Sequence, residues 1–187
     1  MYSSIIAFCW ITFILVWLVM GGLAKKSIRA KGQHHTSTIY LVIAMTIVVL
    51  VLHTKGLEFL ITYQLFPSTP LIQSIGVFIC AAGIAFAIWA RIHLGKNWGM
   101  PMALKEKPDL VTSGPYHFVR HPIYTGLLAA MLGTNINGGF MGLVWLLFSA
   151  TFFIYSAKRE EKMMLVQFPD EYPAYMKCSK MLIPFIF

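Results

Sequence analysis

Charge is what this sequence has least of. Only 7 of its 187 residues are acidic, and Asp, Glu, Lys and Arg together make up 12%, about half the share of a soluble domain. So little polar surface cannot cover an ordinary soluble globule. The 14 Phe, 8 Tyr, 5 Trp and 11 Met exclude a disordered chain. Cysteine is scarce too: Cys9, Cys80 and Cys178 are far apart, form no CxxC pair and imply no disulfide framework. GxGxxG, the P-loop and GxSxG are missing, and without soluble βα units a Rossmann-type cofactor domain is excluded. His34-His35, and separately His93, His117 and His121, have no nearby Cys and no HExxH spacing, so no metal site is expected. No serine has an evident base partner, which argues against covalent serine catalysis.

What is present is apolar: 58% of the chain. Runs at 2–24, 39–52, 71–90, 123–134 and 140–157 alternate with polar segments, and a spanning helix needs about 20 such residues. The expected architecture is an all-α, polytopic membrane protein in one domain, with about five transmembrane helices over 2–24, 36–53, 71–91, 117–134 and 140–158. A connector and a C-terminal helical tail complete it. The fourth run is shortest and has to borrow from residues 116–122, with Pro122 suited to a first helical turn. The fifth can continue as a helix past Lys158. The turn Asn135-Ile136-Asn137-Gly138-Gly139 is rich in turn formers and makes spans four and five an antiparallel hairpin.

The surviving charge is lopsided, 15 basic residues against 7 acidic, net +8. Nucleic-acid binding needs a soluble basic face, so no nucleic-acid partner is expected. No Lys or Arg precedes the first run, and Lys25, Lys26, Arg29 and Lys31 follow it. That order reads as a retained helix with its N-terminus outside. With five spans, 14 of the 15 basic residues then fall on the cytoplasmic side and only Lys55 outside. Polar chemistry is expected on the cytoplasmic face.

Two polar concentrations lie there. Residues 93–122 hold His93, His117 and His121 with three glycines and four prolines, and the tail from Lys158 holds Arg159, Glu160, Glu161, Asp170, Glu171, Tyr172 and Tyr175. A connector of that length inside a compact protein is more often functional than slack. Counting from Asn137, His121 lies 16 residues back and Glu160 23 forward. Straight helices would set Glu160 about 10 Å, two turns, beyond His121. Neighbours on a helix point about 100° apart, so at most one of Glu160 and Glu161 is expected to face a site. Taken singly, the acid pair reads as a solvated helix end, Arg120-His121-Pro122 as an interfacial anchor, and Trp98, Tyr116, Tyr124 and Tyr172 as an aromatic belt. Their conjunction on one face, in a chain with few charges, is more informative than any member.

The stretch Leu110-Val111-Thr112-Ser113-Gly114-Pro115-Tyr116, then Arg120-His121-Pro122-Ile123-Tyr124-Thr125-Gly126, resembles the signature of the isoprenylcysteine carboxyl methyltransferase family. So do Glu160-Glu161, Leu165, Phe168, Glu171-Tyr172, Tyr175 and Pro184, and Leu94-Gly95-Lys96-Asn97-Trp98 fits the segment before the loop. The resemblance covers about residues 90–187 and is closest to short prokaryotic members, which implies a prokaryotic inner membrane. It implies an integral-membrane methyltransferase using S-adenosylmethionine, its site within residues 93–187. Carried over, the cofactor-binding positions are Leu110, Val111, Tyr116, His121, Pro122, Ile123, Tyr124 and Glu160. From the residue types themselves, Arg120, Glu160 and Arg159 are the candidate catalytic residues. Animal members carry a substrate-contacting Arg one turn before that Glu, and here the position is Ser156.

These residue types suit the chemistry. Aromatic faces stabilise a sulfonium by about 0.5–2 kcal/mol, a carboxylate can accept from an ammonium or ribose hydroxyls, and an Arg can pair a carboxylate in bidentate fashion. The implied partners are the lipid bilayer and a lipophilic or small-molecule methyl acceptor. The acceptor stays open between lipid, thiol, amine and carboxylate. An NADPH-dependent membrane reductase of related topology and a non-catalytic membrane protein are the competing readings. Charges gathered at one face, rather than at the midplane, disfavour a transporter.

Overall fold

A computed structural model describes residues 1–21, 27–28, 63–64, 66–95, 104–105, 109–136 and 139–186. Among the described residues five α-helices carry the architecture: α1 (Tyr2–Gly21), α2 (Pro70–Leu94), α3 (Pro122–Ile136), α4 (Phe140–Gln167) and α5 (Glu171–Cys178). A 3-10 turn, Gly114–His117, precedes α3. Strands β1 (Ser27–Ile28) and β2 (Leu104–Lys105) pair antiparallel, so the chain after α1 meets the connector that leads to α3.

Helices α1, α2 and α4 are each long and apolar enough to cross a membrane. Their outer faces carry exposed Phe8, Leu18, Val19, Phe78, Trp89 and Leu147, the reverse of a soluble protein's pattern and the one a bilayer requires. The chain is a helical integral membrane protein. The expected span over 36–53 lies outside the described residues. The fourth run is helical but needs no residues from 116–121. Helix α3 starts at Pro122, where the missing N–H costs nothing, and its 15 residues reach about 22 Å.

Small residues bring α2 and α3 together. Helix α2 buries Gly76, Cys80, Gly83, Ile84, Ala87 and Ala90, and α3 buries Gly126, Ala130 and Gly133, all at spacings of three or four that keep one face. A Cβ on Gly83 would stand 2.5 Å from the Ala130 amide nitrogen, and one on Gly126 2.6 Å from the Gly83 carbonyl oxygen. The two backbones therefore touch, as in small-xxx-small membrane contacts. Helix α1 joins them: Trp10 Nε1 donates to Thr134 Oγ1 at 3.0 Å.

At the opposite end of α2, Arg91 is fully buried. Its guanidinium donates to Gly95 O (2.9 Å) and to Met20 O (2.6 Å). It thus closes the C-terminal carbonyls of two helices at once, groups with no partner inside their own helix. This end of the bundle is also where α3 begins and where α4 runs on past Lys158 to Gln167.

Candidate active site

Five side chains meet just before and within the first turn of α3. Arg120 and His121 come from the segment between the 3-10 turn and α3, Tyr124 from α3, and Glu160 and Glu161 from α4. Arg120 Nε lies 2.6 Å from Glu161 Oε1. The same oxygen is 3.3 Å from His121 Nε2. The other imidazole nitrogen, Nδ1, is 3.5 Å from Glu160 Oε2. Tyr124 donates its hydroxyl to Glu160 Oε1 at 2.5 Å. The rings of His121, Tyr124 and Phe153 lie nearly parallel, with centroids 5.6 and 4.8 Å apart.

Both acids of the pair therefore reach the histidine, where the sequence geometry allowed for one. The expected two-turn offset is also closed. Side chains lean toward the N-terminus of their helix, and α3 and α4 run antiparallel, so Tyr124 and Glu160 lean toward each other. Two long side chains bridge what the backbones leave open.

The two carboxylates differ in what they have left to offer. Glu161 is only 8% exposed and shares one oxygen between Arg120 and His121. Glu160 is 25% exposed and is held in place by Tyr124 and His121. It is the carboxylate oriented by the protein yet open to a ligand. Burial opposes a charge on His121, but hydrogen bonds and charges from Glu160 and Glu161 outweigh it and move the imidazole upward from its usual range. Arg120 and His121 face the two acids directly, and pairing of this kind is the condition for burying charge without heavy cost.

Chain after α5 fastens this cluster. Arg120 Nη1 donates to Ser179 O (2.5 Å) and contacts Met176 O (3.4 Å). Arg120 N–H donates to Lys180 O and His121 N–H to Met181 O, at 2.8 and 3.1 Å. Tyr175 donates to the Tyr116 carbonyl at 2.5 Å. Burial pushes the Tyr175 hydroxyl up to about 12, and burial raises Tyr116 and Tyr172 further still.

Not every predicted residue joins the cluster. Arg159 donates to Tyr155 Oη at 3.2 Å and lies 5.8 Å from that ring's centroid, one turn back along α4. Leu110 and Val111 are half-buried in the extended stretch before the 3-10 turn, Pro122 is buried and Ile123 half-buried. Tyr116 is buried in the turn itself. Ser156 is fully buried one turn before Glu160, and among the described residues its Oγ has no hydrogen-bond partner. Trp98 lies outside the described residues.

One expectation fails outright: a serine does have a base beside it. His93 Nε2 lies 2.9 Å from Ser113 Oγ, across 20 residues that gave no local signal. Gly114, at φ +59°, packs so closely that a Cβ there would meet the His93 ring at 2.7 Å. The pair shapes the turn that carries Tyr116. Sequence reasoning also missed Glu161 as the centre of the ion cluster, although its pairing partner Arg120 was already singled out.

A helical bundle that is apolar outside and gathers its buried charge at one end is an integral-membrane protein with a polar side-chain cluster at the end of a helical hairpin. The family model described as phospholipid methyltransferase matches residues 71–171. That is more than half of the chain, and the chain belongs to this family. It is 35% identical over 103 residues to a protein-S-isoprenylcysteine O-methyltransferase of Schizosaccharomyces pombe, covering 52% of this chain and 43% of the relative. It is 29% identical over 145 residues to a Tribolium castaneum protein of the same name, covering 71% of this chain and 50% of the relative. These relatives bear out the resemblance to the isoprenylcysteine methyltransferases. The chain spans about half the length of the curated relatives it matches.

Proposed function

We propose that this protein is an S-adenosylmethionine-dependent methyltransferase acting on a lipophilic acceptor, a carboxylate of the prenylcysteine kind or another O, S or N nucleophile. The observation that carries this reading is Glu160, an oriented carboxylate a quarter open to its surroundings at the end of a stack of three aromatic rings. That donor set fits the cofactor: a carboxylate for an ammonium or ribose hydroxyls, and π faces for a cationic centre. Glu160 would hold the cofactor's polar arm, with Tyr116, His121, Pro122, Ile123 and Tyr124 forming the wall and Leu110 and Val111 the approach. When bound, S-adenosylmethionine supplies an electrophilic methyl group on a sulfonium.

The protein's own part is placement. Tyr124 and His121 fix the Glu160 carboxylate. Glu161 and Arg120 fix His121 and the start of α3 in turn. Alignment of this kind, with water kept out, supplies most of the rate in an in-line displacement. A carboxylate acceptor needs no general base. An amine or thiol acceptor would lose a proton, and Glu160, the more open carboxylate, is the group placed to take it. Arg120 acts here as a positioning residue, its charge directed at Glu161, while Arg159 reaches Tyr155 rather than the cluster.

We place the cluster on the cytoplasmic face of a prokaryotic inner membrane, with the N-terminus outside and the C-terminus inside. The 14 to 1 division of basic residues supports this. The test is transfer of tritiated methyl from S-adenosylmethionine, in nanodiscs, to a panel containing a prenylcysteine, a lipid amine and a small thiol. Label in one acceptor class supports the reading and names the acceptor. Label in none, with NADPH rather than S-adenosylhomocysteine stabilising the fold, overturns it in favour of a reductase.

A further inference from the structure

The chain beyond α5 lies beside the approach to α3 and runs in the same direction. Val119 and Lys180 form a parallel bridge. Arg120 N–H then donates to Lys180 O, His121 N–H to Met181 O, and Thr125 Oγ1 to Leu182 O at 2.6 Å. Each step along one segment meets a step deeper into the other. Residues 180–182 therefore progress from the polar turn toward the apolar helix.

The sequence of the segment changes in the same order. Lys177 and Lys180 are exposed and Leu182 is buried. Ile183, Phe185 and Ile186 follow, exposed by 50, 85 and 76%. Ile186 N–H closes a turn onto Ile183 O at 3.1 Å. Phe185 sits at φ +66°, the one non-glycine residue at positive φ among the described residues, a conformation that glycine favours. Pro184 in the turn has no N–H to leave unpaired in an apolar medium. A strained turn thus points three large apolar side chains away from the fold, at the level where α3 begins.

We propose that residues 183–186 form a hook that dips into the bilayer beside the first turns of α3. Ile183, Phe185 and Ile186 lie in the apolar part of the leaflet, and Lys177 and Lys180 stay at the level of its anionic phosphates. The partner is the bilayer that α1, α2 and α4 already occupy, so the hook continues an existing lipid-facing surface. The order of lysines and apolar residues along the segment matches the order of depth set by the parallel pairing. The same segment holds the backbone of Arg120 and His121, so lipid contact steadies the ion cluster from outside. This inference does not depend on the chemistry proposed for the site.

The test is depth measurement by a nitroxide on Phe185→Cys, in a background of Cys9→Ala and Cys178→Ser that keeps the buried Cys80. The protein is placed in nanodiscs of phosphatidylcholine and phosphatidylglycerol, with a Lys177→Cys label as reference. Oxygen is expected to relax the label at 185 more effectively than a water-soluble nickel chelate, and the reverse is expected at 177. Stronger relaxation by nickel at 185 overturns the proposal. So does protection from both reagents, which would mean burial against a second copy or another protein. Ile186→Cys repeats the measurement if Phe185→Cys does not fold.

Discussion

Glu161 and Arg120 are joined by a 2.6 Å ion pair in which each side chain is less than a tenth exposed. The partners are 41 residues apart in sequence, so the pair locks α4 to the entrance of α3. Removing one member of a buried pair leaves a charge without compensation, at a cost of about 3–5 kcal/mol. Glu161→Gln and Arg120→Met are each expected to lower the denaturation midpoint in nanodiscs strongly. Their double variant is expected to lose less than the sum. A fully additive double variant contradicts the coupling.

Glu160 is expected to behave in the opposite way. It is more open, and its role is toward a ligand, so Glu160→Gln keeps the fold within about 1 kcal/mol while S-adenosylhomocysteine affinity falls at least about tenfold, near 1.4 kcal/mol. Calorimetric titration beside a thermal melt separates the two acids. Equal loss of stability in both variants contradicts the division of labour.

The histidine sets a pH dependence. His121 binds its proton more tightly in the folded protein than in the unfolded chain, because Glu160 and Glu161 outweigh the effect of burial. The stabilisation it gives is full below about pH 6.5 and is lost as the pH rises through its raised value. Melting midpoints are expected to fall across that range in the wild type, and the fall is expected to flatten in His121→Gln. An unchanged slope in the variant contradicts the assignment.

Contact between α2 and α3 leaves no room for a side chain. Gly126→Val places carbon where the Gly83 carbonyl oxygen and the Ala87 backbone already stand. A loss of about 3 kcal/mol, the upper end of overpacking costs, is expected. At Ser156 the expectation reverses. Its buried hydroxyl is without a hydrogen bond among the described residues, so Ser156→Ala is expected to be neutral or to stabilise by about 1 kcal/mol. A marked loss in Ser156→Ala, read in the same melts, would reveal a partner for the hydroxyl.

Helix content, the short antiparallel hairpin and the place of Pro122 in the first turn of α3 were legible in the sequence, because hydrophobic run length and proline act locally; the start itself was set too early, at residue 117. The meeting of Arg120, His121, Tyr124 and Glu160 was legible through their placement at the two ends of one hairpin. What was not legible depends on three-dimensional direction. That both Glu160 and Glu161 reach His121 follows from the opposed lean of side chains on antiparallel helices. The pairing of His93 with Ser113 depends on a glycine at positive φ. The fastening of residues 118–121 by Lys180 and Met181 uses backbone groups, which carry no sequence signature.

The most direct test of the central claim is ligand-induced stabilisation in nanodiscs, comparing S-adenosylhomocysteine with NADPH on the wild type and on Glu160→Gln. A ligand that binds only the folded state raises the midpoint in proportion to its affinity. S-adenosylhomocysteine is expected to raise the wild-type midpoint by several degrees, with little effect on Glu160→Gln and none from NADPH on either. A rise with NADPH alone, or an equal rise with S-adenosylhomocysteine in both proteins, contradicts the account.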